Sequence, residues 1–190
     1  MPIDEMLGIL RQFADAKAAW DSQLKLLQRS FPSDLWSNLL EADIRRDSDA
    51  AAAWLEASLE QVKAPVGVYL GLNTLNMDCG AGHNLEVGWT SNANVDADDT
   101  GWGYQGLQYG PRHLLDGLVG MHSIYSLPQW KQQFSNADYM IFLGYSGLIL
   151  REALQKAAIP VPALITWGFH DGDIFLLGRK DATTFTFIGA

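Results

Sequence analysis

The chain has 190 residues, of which 48% are hydrophobic and 18% are charged, and its formal net charge is −9. This length and composition exclude large-scale disorder and predict one globular domain over residues 1–190. The acidic surplus argues against nucleic acid as a partner, because neutralising phosphates requires clustered lysine and arginine.

Cys79 is the only cysteine, so the chain cannot form an intramolecular disulfide. The first ten residues contain two acids and no basic residue, a pattern that does not fit a signal peptide. No apolar run reaches the ~18 residues that a membrane-spanning helix requires. We therefore expect a cytoplasmic protein that makes no membrane contact.

Residues 1–63 predict a layer of three helices. Apolar side chains recur at helical spacing over residues 3–27, and a second apolar stripe follows over residues 36–44. A third, alanine-rich helix ends near Val62, before a proline that cannot continue it. The N-caps that we expect for the second and third helices are Ser33 and either Asp47 or Asp49.

Beyond these helices the hydrophobic period changes to two. Residues 66–72 and 85–89 place apolar side chains at every second position, which predicts two half-buried strands. Residues 139–143 are apolar or aromatic throughout and predict a central strand. That strand would lead through a turn into a helix over residues 148–157.

Three segments near the end of the chain, residues 163–169, 174–177 and 183–188, also predict strands. Asp171 and Gly172 predict a tight hairpin turn between the first two, because both positions of such a turn tolerate positive φ. The later part of the sheet should therefore consist of C-terminal β-hairpins.

Helices first and hairpin-linked strands later predict an α+β fold. In this fold the N-terminal three-helix layer, residues 1–63, packs on a mostly antiparallel sheet. Residues 64–190 supply that sheet, together with inserted helices and a long loop over residues 91–110.

The loop over residues 91–110 has no hydrophobic period, and a loop of this length is usually functional or mobile. It lies within residues 64–111, a stretch that contains no lysine or arginine. Three aspartates and three aromatic residues separated by glycines would attract a basic protein and resemble an interface in composition. The candidate partner-binding residues are Asp96, Asp98, Asp99, Trp102, Tyr104 and Tyr109.

Other interpretations of this loop remain open. The aromatic rings could fold back into the core, or they could stack on a sugar that Asn94, Gln105 and Gln108 hydrogen-bond. Exposed rings could also mediate self-association. We expect no calcium site, because Leu107 stands where a glutamate would close an EF-hand loop.

Cys79 and Ser146 are the candidate nucleophiles, and His170 is one of the histidines that could act as their base. Most single cysteines are small core residues. Ser146 lies in the predicted strand–turn–helix, but Leu148 breaks the Gly-x-Ser-x-Gly motif. No motif for a cofactor or a metal ion is complete, so we expect neither. The remaining histidines that could serve as a base are His113 and His122.

The leading hypothesis is an acidic cytoplasmic module that binds a basic protein, as an immunity or inhibitor protein does. Two alternatives come from other functional classes. One is a small hydrolase that depends on Cys79 or Ser146, and the other is a carbohydrate- or small-ligand-binding domain built on the aromatic loop. The sequence favours binding over catalysis because no catalytic motif is complete.

Overall fold

The computed structural model describes residues 2–12, 15–39, 42–74, 83–92, 94–125, 137–159, 162–181 and 183–188. These residues form an α+β fold in which helices pack against a mostly antiparallel sheet, as the sequence predicts. The helices are α1 (Pro2–Gln12), α2 (Ala16–Ser30), α3 (Ile44–Leu59), α4 (Asp116–Tyr125) and α5 (Ala137–Lys156), with 3₁₀ helices at Asp34–Leu39 and Thr100–Tyr104. The strands are β1 (Gly67–Thr74), β2 (His83–Thr90), β3 (Gln108–Tyr109), β4 (Ala163–Phe169), β5 (Ile174–Lys180) and β6 (Phe185–Phe187).

The predicted first helix is divided into two. Asp15 adopts an extended backbone conformation and caps α2 by accepting a hydrogen bond from the amide of Ala18 at 2.7 Å. An aspartate favours this capping geometry over a helix interior, because its short side chain competes for backbone amides. The apolar spacing continues across the division, and for this reason the sequence pattern alone predicts one helix.

The boundary between the predicted second and third helices also differs in the structure. Residues 34–39 form only a short 3₁₀ helix, and Ile44 begins α3 instead of ending the preceding helix. Asp43 is the N-cap of α3, since its carboxylate accepts a hydrogen bond from the amide of Arg46 at 3.0 Å. The prediction of Asp47 or Asp49 as the cap is therefore wrong.

The strands form one six-stranded sheet with the order β3-β2-β1-β4-β5-β6. The pairing of β1 with β4 is parallel, and the other pairings are antiparallel. The predicted hairpin is confirmed, because β4 and β5 pair across the turn that contains Asp171 and Gly172. The two alternating strands of the predictions are confirmed as β1 and β2.

The strand predicted over residues 139–143 is wrong, because these residues lie in the first half of α5. This helix contacts α1, α2 and α3 as well as strands β1, β4 and β5. A helix that is surrounded in this way is apolar on every side, and a short apolar run cannot distinguish it from a buried strand. The prediction of a helix over residues 148–157 is confirmed.

The main core lies between the helices and one face of the sheet. Leu70 of β1 and Trp167 of β4 are paired neighbours on that face, and the indole of Trp167 donates a hydrogen bond to the carbonyl of Leu143 in α5. The opposite face of the sheet, here called the outer face, carries the alternate residues of the same strands. None of the helices in the described ranges has both the length and the hydropathy that crossing a membrane requires.

Candidate functional site

The centre of the outer face contains a row of small residues beside one buried acid. Gly71 of β1 is paired with Glu86 of β2 on one side and with Gly168 of β4 on the other. A Cβ atom at Gly71 would lie 2.6 Å from the ring of the buried Tyr69 and 2.8 Å from Cγ of Glu86, so only glycine leaves space for both side chains. The side chain of Glu86 is only 4% exposed.

The carboxylate of Glu86 has partners on both of its oxygens. Oε1 contacts Nδ1 of His170, and Oε2 accepts a hydrogen bond from Nδ2 of Asn73 at 2.9 Å. Nε of Arg112 lies 3.6 Å from Oε2 and completes an ion pair. These contacts offset the desolvation cost that burying a carboxylate would otherwise incur.

His170 follows the last residue of β4, where its backbone amide donates a hydrogen bond to the carbonyl of Leu72 at 2.9 Å. Its side chain is 42% exposed. An ionised carboxylate can only accept, so Nδ1 carries a proton and donates to Glu86. In the neutral ring Nε2 then holds the lone pair, and Nε2 has no partner within the described part of the chain.

Tyr109 stands at the rim of this cluster. Its ring centroid lies 6.2 Å from that of His170, and the side chain is 48% exposed. Burial of part of the phenol raises the pKa of Tyr109, and the negative charge of Glu86 raises it further. The hydroxyl therefore remains protonated and able to donate. We call Glu86, Asn73, His170, Arg112 and Tyr109 the Glu86 cluster.

The Glu86 cluster was missed at the sequence level except for His170 and Tyr109. Asn73 and Glu86 lie on strands in which apolar and polar residues alternate, and Arg112 lies in the segment between β3 and α4. Polar residues are common at such positions, so none of the three stands out in the sequence. The sequence does contain one signal for this cluster, which is the charged residue Glu86 on the polar face of β2. That signal becomes informative only once the sheet register places Glu86 beside Gly71.

The two candidate nucleophiles do not join this cluster in the described structure. Cys79 lies outside the described residues. Ser146 is in the middle of α5, where its side chain is fully buried and Oγ donates a hydrogen bond to the carbonyl of Leu143 at 3.1 Å. A hydroxyl in this position cannot meet a substrate, and it satisfies its hydrogen bond within the helix.

We call the segment that contains Asp96, Asp98 and Asp99 the acidic loop. All three aspartates are exposed. Asp96 accepts a hydrogen bond from the amide of Asp98 at 3.0 Å, and Asp99 accepts one from the amide of Gly101 at 2.9 Å. Such turns occupy one oxygen of each of these two carboxylates and leave the other free. No lysine or arginine of the described ranges forms an ion pair with any of the three.

The aromatic residues of the loop differ in their environment. Trp102 is half-buried, with its indole packed against the backbone of Gly67 and its Nε1 donating to the carbonyl of Asp96 at 3.0 Å. Trp102 therefore covers the outer face of the sheet instead of projecting into solvent. Tyr109 is exposed, and the side chain of Tyr104 lies outside the described part of the structure.

A cleft of about 310 Å³ lies beside the acidic loop. Three residues named at the sequence level for a sugar, Asn94, Trp102 and Gln105, line this one cleft. Gln108 does not line this cleft, and its side-chain oxygen accepts a hydrogen bond from Nε1 of Trp89 at 3.2 Å. The other lining residues are Thr90, Asn92, Val95, Asp99 and Gly101.

A larger cleft of about 470 Å³ lies between α3 and α4. Asp47 lines it and is buried, while Arg46 and Asp116 form an ion pair at its exposed edge. No group of three or more histidine, cysteine, aspartate or glutamate side chains is arranged to hold a metal ion in the ranges that the structure describes.

No protein-family model matches this chain, and neither the curated proteins nor the solved structures include a significant match. Function must therefore be argued from the surfaces and clusters described above.

Proposed function

We propose that the chain is an acidic cytoplasmic protein that binds a basic protein partner, as an immunity or inhibitor protein does. The binding surface consists of the acidic loop and the exposed apolar residues that follow it in the chain. The observation that carries the proposal is the exposure of Asp96, Asp98 and Asp99, none of which forms an ion pair with a lysine or an arginine of the described structure.

The acidic loop lacks local charge compensation. Several other exposed acids of the described structure, such as Asp21, Asp49 and Asp116, pair with a lysine or an arginine. The acidic loop belongs to the stretch 64–111, which contains no lysine or arginine. An uncompensated group of charges steers an oppositely charged protein toward itself and raises its association rate.

Exposed apolar residues follow the acidic loop in the chain. Tyr109, Leu114 and Val119 are large apolar side chains that are exposed, and all three lie within eleven residues of the chain. An interface needs a desolvated apolar centre as well as charged residues around it. Exposed apolar residues that follow uncompensated carboxylates in the chain would supply both components for a basic partner.

The proposal is tested with the triple variant Asp96→Asn, Asp98→Asn, Asp99→Asn. A matched control makes the same change in charge at exposed acids elsewhere, through Asp34→Asn, Glu60→Gln and Asp181→Asn. Each tagged protein is exposed to native lysate, captured proteins are identified by mass spectrometry, and the retained protein is purified. Its association rate is then measured by surface plasmon resonance between about 50 and 500 mM salt.

We expect a basic partner whose association slows with added salt and slows roughly tenfold or more with the triple variant. The control variant should associate like the unmodified protein. Capture of no protein, capture of an acidic protein, or equal association by the triple variant would each overturn the proposal.

The cleft beside the acidic loop favours a second candidate function, the binding of a small polyhydroxylated ligand. Asn94 and Gln105 supply amide donors and acceptors, and Trp102 supplies an aromatic surface within the same cleft. Addition of mono- and disaccharides should shift the side-chain amide NMR signals of Asn94 and Gln105. A sugar panel that leaves both signals unmoved, or a shift of the Asn94 signal that persists unchanged in Gln105→Ala, would exclude this function.

A further inference from the structure

Glu86 and His170 form a pair that the proposed binding surface does not require. The carboxylate is buried, while the imidazole is partly exposed and directs one nitrogen away from the carboxylate. A buried acid that orients the proton-bearing nitrogen of a histidine leaves the other nitrogen available as a base. The hydrogen bond from Asn73 holds the second oxygen of Glu86 and fixes the orientation of the carboxylate.

We propose that the Glu86 cluster is a hydrolytic site for small carboxylic esters that carry an anionic group, with Nε2 of His170 as the general base. This activity is independent of the acidic loop and uses water as the nucleophile. It therefore requires neither Cys79 nor Ser146.

The chemistry needs only the ester and water. Nε2 accepts a proton from a water molecule as the water oxygen bonds to the ester carbonyl carbon, and the carbonyl π electrons move onto the carbonyl oxygen. When the tetrahedral intermediate collapses, the bond from carbon to the alcohol oxygen breaks. The proton on Nε2 passes to the departing alkoxide, so that the products are an acid and an alcohol.

Arg112 supplies the preference for an anionic ester. Its contact with Glu86 uses Nε, and the side chain is about half exposed, so both terminal nitrogens are available to a ligand. A guanidinium binds a carboxylate through two parallel hydrogen bonds, a geometry that an ammonium group does not offer.

Tyr109 can stabilise the negative charge that develops on the carbonyl oxygen. Its phenol is protonated, and its ring lies beside the ring of His170, with 6.2 Å between the ring centroids. A preorganised donor that meets charge formed only in the transition state accelerates the reaction.

The test uses the full chain with two chromogenic substrates, p-nitrophenyl acetate and the anionic p-nitrophenyl hemisuccinate. We expect the protein to hydrolyse the hemisuccinate faster than the acetate. His170→Gln should lower kcat/KM for both by about 10²- to 10⁴-fold, the range typical of a lost general base. His113→Gln is the control, because His113 stacks on Trp54 and lies outside the Glu86 cluster.

Two further variants test the separate roles of Arg112 and Glu86. Arg112→Met should raise KM for the hemisuccinate by a larger factor than KM for the acetate, so the preference for the anionic ester is lost. Glu86→Gln tests a positioning residue, so its readout is the split between kcat and KM. The variant keeps the size of the side chain but removes the charge that faces the imidazolium formed in the reaction, so kcat should fall while KM changes little.

The outcome is independent of the binding proposal, because the triple variant of the acidic loop should keep full esterase activity. The inference is overturned if the unmodified protein hydrolyses neither ester above the buffer rate. It is also overturned if His170→Gln retains more than a third of the activity, which would indicate a contaminating esterase. In either case Glu86 and His170 form only a structural ion pair.

Discussion

Asp47 connects three helices through a buried carboxylate, and its removal should weaken the whole fold. Oδ2 accepts a hydrogen bond from the hydroxyl of Tyr145 in α5 at 2.8 Å and another from the amide of Gly117 in α4 at 2.8 Å. Asp47 itself belongs to α3, and both its side chain and that of Tyr145 are buried. Water therefore cannot replace the lost bonds without entering the core.

The magnitude follows from these two bonds. A hydrogen bond to a charged group contributes about 1.5–3 kcal/mol, which is the expected cost of Tyr145→Phe. Asp47→Ala removes both bonds and also leaves the hydroxyl of Tyr145 buried and unpaired, so we expect about 3–5 kcal/mol. Because whole domains are stable by about 5–15 kcal/mol, the single variants should remain folded at room temperature.

The assay is urea denaturation followed by circular dichroism, for the two single variants and the double variant. Residues in one hydrogen bond should be non-additive, with a coupling of about 1–3 kcal/mol. Ser48→Ala is the control, because its buried hydroxyl bonds only the carbonyl of Ile44 and should cost about 0.5–1.5 kcal/mol. If Tyr145→Phe costs less than about 0.5 kcal/mol and adds to Asp47→Ala without coupling, this account of the core is refuted.

Three further predictions concern pH and backbone packing. Burial raises the pKa of Tyr145, with the charge of Asp47 adding to the effect, so the folded state keeps a proton that the unfolded state loses. Stability should therefore fall as pH rises above about 10 and fall less in Tyr145→Phe, measured from urea midpoints between about pH 9 and 11. Burial lowers the pKa of His113, although Asp47 and Asp116 oppose this, so stability should fall as pH drops below about 6.5. Urea midpoints measured between about pH 5 and 7 should show a flatter acid limb in His113→Gln, and an unchanged limb would contradict this assignment. Gly168→Ala places a Cβ atom 2.1 Å from the backbone oxygen of Asp173, so it should cost about 1–3 kcal/mol by thermal or urea unfolding, and a neutral result would contradict this packing.

Sequence patterns correctly predicted the elements that are determined by a few consecutive residues. The alternation over residues 66–72 and 85–89 identified β1 and β2, and Asp171 and Gly172 identified the hairpin between β4 and β5. Period two and turn chemistry are properties of a few consecutive residues, so sequence suffices for them. The spacing of hydrophobic residues could not show that residues 139–143 form a helix. A helix that is buried on every side is apolar throughout and so has no helical hydrophobic period.

The candidate sites divide in the same way. Sequence identified the acidic loop, because its aspartates and glycines are close together in the chain and its lack of cations is a matter of composition. It could not show that Trp102 packs against Gly67, since that contact depends on how the loop returns across the sheet. The three aspartates and Tyr109 are therefore exposed, as the sequence predicts. Trp102 is half-buried instead.

Only the tertiary structure brings Glu86 and His170 together, because they are 84 residues apart in the chain. Their contact depends on two pairings at once, β1 with β2 and β1 with β4, and on the glycine between them. A shift of either register by one residue would turn Glu86 or its neighbours to the other face of the sheet. The sequence alone determined the class of fold and the composition of the acidic surface. The sheet register decided which buried carboxylate meets which histidine, since pairing between distant strands is a property of the folded chain.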